Sequence, residues 1–108
     1  MYKGTVIENS LADKNILKRI QIQNTRQAGD WVLHDVLVDE TQIPELSKSL
    51  AEGPWYIHLW EGGKDDVIVI FKNKIFKIKF SDKTTWADAV AYGKSISIPD
   101  EQLDFPID

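Results

Sequence analysis

Residues 54–80, PWYIHLWEGGKDDVIVIFKNKIFKIKF, decide the fold. Val67, Ile68, Val69, Ile70 and Phe71 form an unbroken apolar run, too short for a buried helix and rich in β-branched side chains, so they predict a strand. From Ile75 to Phe80 the pattern alternates, with Phe76, Ile78 and Phe80 on one side and Lys77 and Lys79 on the other. A two-residue loop at Asn73-Lys74 pairs Phe71 with Phe76, Val69 with Ile78 and Val67 with Phe80, all on one face. A three-residue loop sets lysines opposite Val67 and Val69. A one-residue slip turns every side chain over, so burial selects the two-residue loop. Asn tolerates the positive φ of a hairpin turn, whereas Lys74 suits the second turn position poorly.

Residues 55–60 alternate as well, with Trp55, Ile57 and Leu59 against Tyr56, His58 and Trp60. The cluster Glu61-Gly62-Gly63-Lys64-Asp65-Asp66 is a turn. A five-residue loop places Ile57 and Leu59 with Val69 and Phe71, and gathers Tyr56, His58 and Trp60 with Ile68, Ile70, Lys77 and Lys79. A four-residue loop reverses that assignment. The five-residue loop separates apolar from amphipathic side chains better and is the expected one.

Working outward, residues 3–8 and 18–25 predict strands, the second half-buried with Ile20 and Ile22 inward and polar residues outward, as near a sheet edge. The spacing of Ser10 and Asp13 fits a capping box for one or two helical turns. Residues 31–38, WVLHDVLV, are apolar on both alternations, which predicts a strand covered on both sides or set at a partner interface. Residues 41–52 predict a helix from Ile43, Leu46 and Leu50, opened by acidic residues and closed by Gly53 and Pro54. Residues 85–94 predict a second helix, capped by Thr85 and Asp88. Pro99 opens a short turn, and the apolar alternation of residues 103–108 predicts an extended tail that docks. The expected fold is α+β: a mostly antiparallel sheet of five to six strands with two main helices in the order ββ(β)αβββα, forming one domain over residues 1–108 and covered on one face, with the other face partly open.

The run TTWADAVAYGKSISIPDEQLDFPID, together with the GPWY segment, resembles short uncharacterised prokaryotic proteins that end in a helix, an Ile-Pro turn and Gln-Leu-Asp-Phe-Pro. The resemblance covers the last quarter of the chain and that segment, and it implies no activity.

Composition excludes several functions. The 108 residues carry a formal charge of −4 without a basic block, which argues against nucleic-acid binding through phosphates. There is no cysteine, so thiol catalysis, disulfides and cysteine-ligated metals are out. No apolar run approaches the roughly 18 residues of a membrane span. The first residues carry no secretory pattern, so the cytoplasm is expected.

The chemistry-bearing residues have ordinary structural explanations. His34 and His58 lie on strands, and no metal-ligand spacing such as HExxH accompanies them. Asp39-Glu40, Asp65-Asp66 and Asp100-Glu101 sit at helix starts or turns. Gly62-Gly63 joins antiparallel strands and is no phosphate loop. No serine has a patterned histidine partner, so no triad is expected. No cofactor or metal site is expected. Trp31, Trp55, Trp60 and Trp86 each offer roughly 200 Å² for packing, and Trp60 with Tyr56 is the best pair for stacking a sugar or a base. The expected function is a non-enzymatic protein-interaction module, self-associating or capturing a protein partner, through an aromatic and aliphatic face of Tyr56, His58, Trp60, Ile68 and Ile70. The alternative is a small-molecule binder or small enzyme with a pocket near Tyr56, His58 and Trp60. A flat patch marks the first and a concave one the second.

Overall fold

The alternating segments join into one six-stranded sheet in a computed structural model that describes residues 1–107. The strands are β1 (Tyr2–Ile7), β2 (Gln21–Ala28), β3 (Trp31–Val38), β4 (Ile57–Trp60), β5 (Asp66–Phe71) and β6 (Lys74–Lys79), with helices α1 (Ile43–Ser49) and α2 (Ala87–Ser95). Their order across the sheet is β2-β3-β1-β4-β5-β6. Every neighbouring pair is antiparallel, so the α+β class and the element order follow the sequence pattern.

Two hairpins differ from expectation. In β5–β6 the loop is Lys72-Asn73, and Phe71 pairs with Lys74, Val69 with Phe76 and Val67 with Ile78. Asn73, at φ 58°, takes the second loop position, where a left-handed residue is wanted and lysine is poor. The offset is two residues, so the faces survive. Phe76 sits diagonal to Phe71, their rings edge-on at 5.9 Å.

In β4–β5 the correction changes faces. Trp60 pairs with Val67 and Leu59 with Ile68, which is the register of a four-residue loop. Lys64 N–H closes the turn on Glu61 O at 3.2 Å. Asp66 is drawn into the strand opposite Lys79, whose ammonium donates to its carboxylate at 2.5 Å. Ile57 and Leu59 therefore share a face with Ile68 and Ile70, and Tyr56, His58 and Trp60 lie on the other.

The helices cover opposite faces, where one covered face was expected. On the first face, Ile43, Leu46 and Leu50 pack with Val6, Val36, Val38, Ile57, Leu59, Ile68 and Ile70. α1 stops at Ser49, short of the expected 52, because Leu50 turns extended to bridge Leu11. Ser49 O accepts from Ala12 N and Asp13 N, and Ala51 N donates to Ser10 O. Asp39 caps the preceding turn in a capping box with Gln42. Asp13, not Ser10, caps the early helical turn.

On the second face, Trp86 and Ala89 pack with Val67, Val69, Phe71 and Ile78. Asp82, rather than Thr85, caps the turn that leads into α2. The helix ends with Ser97 N–H on Lys94 O and Ile98 N–H on Gly93 O, with Ser97 at φ 73°. That is the Schellman pattern, with serine where glycine is usual. Leu103 and Phe105 are buried in the same cluster, so the tail docks. Among the described residues, neither helix nor tail lies over β1, β3 and β2 on the second face. Leu33, Asp35 and Leu37 are half-buried there, and β2 is exposed along its whole length.

Candidate ligand-binding trough

The sequence singled out Tyr56, His58, Trp60, Ile68 and Ile70 as one face. The structure keeps the first three together and removes the last two. Ile68 is 6% and Ile70 0% exposed, both beneath α1. What covers Tyr56 and His58 is the chain's own tail. The Tyr56 hydroxyl lies against Gln102 O and, at 3.3 Å, Asp104 O. His58 Nε2 meets Pro106 O at 2.9 Å. A carbonyl only accepts, so Nε2 carries the hydrogen and Nδ1 of the neutral ring is an acceptor. Tyr56, just before β4, and His58 on it thus grip the tail at steps of two to four residues. Phe105 fits between the rings, 5.6 Å from Tyr56, 5.9 Å from His58 and 5.0 Å from Trp86.

These contacts set the ionisation of the pair. Burial, with the nearby Asp104 carboxylate, pushes the Tyr56 hydroxyl up to about 12, so it remains a donor. Burial lowers the pKa of His58, against the opposing pull of the Pro106 hydrogen bond and Asp104, which keeps the ring neutral near pH 7.

Tyr56 and His58 also line a cavity of about 310 Å³ with Thr5, Ile7, Trp31, Leu33, Pro54, Trp55, Ile57 and Gln102. Cross-strand register explains the gathering. Thr5 pairs with Asp35 and Ile7 with Leu33 between β1 and β3. Lys3 pairs with Trp60 and Gly4 with Leu59, and continuing that register sets Thr5 level with His58 and Ile7 level with Tyr56. Gly4 makes the junction possible, since a Cβ there would stand 2.6 Å from His58 O and 2.7 Å from Leu59 Cδ2. Trp31 is 46% exposed and meets Trp55 edge-on at 6.0 Å. A large aromatic left half open on a cavity wall is the feature that most needs an occupant.

Beside it, sharing Thr5, lies a more polar cavity of about 460 Å³, reached by Gln23, Arg26, Asp35 and Trp60. Asp35 accepts from Thr5 Oγ1 at 2.9 Å, from Asn24 Nδ2 at 3.4 Å and from Arg26. Desolvation would raise its pKa, but those three hydrogen bonds and the Arg26 charge outweigh it and hold the carboxyl below its ordinary value.

His34 lies on the first face, buried, away from both cavities. Its Nδ1 is 2.8 Å from Thr25 Oγ1 and its Nε2 3.0 Å from Glu8 Oε1. The Glu8–His34–Thr25 chain has the order of a hydrolytic triad, and nothing in the sequence spacing signalled it. It uses both ring nitrogens to tie β2 and β3 to the turn after β1, which is the satisfaction a buried histidine needs. Among the described residues no group of three or more His, Asp or Glu side chains is placed to hold a metal ion, and no helix is long and apolar enough to cross a membrane.

The sequence missed Ile7, Leu33 and Trp55 as site residues. The two-sided apolarity of residues 31–38 was the available signal. It pointed to a cover or a partner, and the structure leaves that side of the strand open. No family model, curated protein or solved structure matches the chain, so its site is read from geometry alone.

Proposed function

We propose that this chain is a non-enzymatic binding protein whose recognition site is the trough between β1, β3 and β4, and that its ligand is a small molecule with a flat apolar body. The observation that carries this is the half-exposed Trp31 set edge-on to Trp55 over a concave, mostly apolar cavity of about 310 Å³. That volume lies at the small end of ordinary ligand sites, which are apolar with a few placed polar groups. Aromatic walls favour flat ligands through offset or edge-to-face contact. The donors of the Tyr56 hydroxyl and His58 Nε2 are already committed to the tail, and that of the Thr5 hydroxyl to Asp35. Committed groups hold shape and orientation rather than driving chemistry.

A protein-interaction role for the open strands is the second reading, supported by half-buried Leu33 and Leu37 beside the trough. A partner there would lie across β1, β3 and β2 and cover Leu37 as well as Trp31. A screen of flat aromatic fragments and saturated fragments of equal size, read by amide and indole N–H shifts, separates the two. The trough reading expects flat fragments to be preferred, to shift residues around Trp31 and Trp55, and to lose binding in Trp31→Ala. Fragments that bind elsewhere, or show no preference for flat rings, contradict it.

A further inference from the structure

The polar groups on the sheet floor of the trough are Thr5 and His58. The Thr5 hydroxyl spends its hydrogen on Asp35, a carboxylate that only accepts. The His58 Nε2 hydrogen is spent on Pro106 O, which also only accepts. Each residue is therefore left presenting a lone pair. Among the described residues His58 Nδ1 has no hydrogen-bond partner. The continued β1–β4 register sets the two side by side, so the floor carries two acceptors under aromatic walls.

We propose that the trough selects flat rings that carry a hydrogen-bond donor, of the indole or phenol class, with the ring against the tryptophan wall and its N–H or O–H on Nδ1 of His58 or Oγ1 of Thr5. The inference rests on the small-molecule reading of the trough and adds its selectivity. An ether or a methylated ring nitrogen offers nothing to these acceptors and leaves them desolvated, which is the asymmetry that makes hydrogen-bonding sites discriminate. A carboxylate is disfavoured for the same reason, since acceptor would face acceptor.

The test compares indole with 1-methylindole, titrated into the ¹⁵N-labelled full chain. The ligands are unlabelled, so the Trp31 and Trp55 indole signals report occupancy, and the His58 ring nitrogens report the hydrogen bond. The expected result is that both compounds shift Trp31 and Trp55, with indole binding about three- to tenfold more tightly, the range of one net hydrogen bond. Indole alone should move the Nδ1 signal, or Thr5→Val should abolish the preference. Thr5→Val leaves the tail contacts of His58 untouched, so its folding is checked simply by its amide spectrum. Equal affinities with Trp31 and Trp55 shifted would overturn the selectivity and leave the trough reading standing. A preference that survives Thr5→Val with Nδ1 unmoved would overturn it as well. No shift at Trp31 or Trp55 with either compound would overturn both.

Discussion

His58 Nε2 donates to the carbonyl of Pro106, 48 residues further along the chain, across 2.9 Å. With Tyr56 against Gln102 O and Asp104 O, this bond makes residues 102–107 a strap over β4. The strap closes the covered half of the second sheet face, and its Gln102 reaches the rim of the trough. The same histidine thus both holds the strap and lines the trough.

Truncation after Asp100 removes Leu103 and Phe105 from the second-face core. Each buried side chain of this size contributes roughly 1.5–3 kcal/mol, so the shortened chain should lose about 3–6 kcal/mol in urea unfolding and expose Trp86. An unchanged midpoint would mean the strap is not bound in solution.

Gly4→Ala should destabilise by about 1–3 kcal/mol, the ordinary cost of overpacking. The cause is local: the added Cβ meets backbone oxygen of His58, which has no rotamer to escape into. Hydrogen exchange should quicken first at the β1–β4 seam. Equal stability would show that the two strands lie further apart.

Stability should fall as the medium is acidified below about pH 6.5, in the range set by His58. Its folded pKa lies below the ordinary 6.5, so the unfolded chain takes up the proton first. The contribution is complete above 6.5 and is lost as pH falls through the folded value. Asp35 and Asp66, held below 3.8 by their partners, act only in stronger acid. Denaturant melts from pH 8 to pH 5 should show a shallower decline in His58→Gln than in the wild type. Parallel declines would remove His58 as the source.

Ile70→Lys should leave the chain unfolded or nearly so, because Ile70 is fully buried under α1 and an unpaired charge there is costly. Leu37→Lys, on the open strands, should keep a native circular dichroism spectrum. A folded Ile70→Lys chain would restore the five-residue loop and its faces.

The contrast between these two leucine and isoleucine positions shows what could be read from sequence and what could not. Short apolar runs and period-two alternation located the strands, since both signals are local. β3 matches residues 31–38 end to end. Burial of Leu103 and Phe105 was equally legible from their spacing. The β4–β5 face assignment turned on whether the loop held four residues or five, and apolar separation favoured the wrong one. The structure instead buries Ile57, Leu59, Ile68 and Ile70 together under α1, a non-local packing that a local pattern does not carry. The strap hid the same way. Tyr56 and His58 looked unpartnered because their cover comes from residues 102–106. The trough was half visible, in the two-sided apolarity of WVLHDVLV, but its walls come from four separate segments.

The most direct test of the trough as the recognition site is ¹⁹F NMR of the chain carrying 5-fluorotryptophan, titrated with indole. Four signals, assigned by single Trp→Phe variants, report four places at once. The account predicts that Trp31 and Trp55 shift together and saturate at the same concentration, while Trp86, buried against Phe105, stays in place. Movement of Trp86 without Trp31, or no movement of any signal at saturating indole, would contradict it.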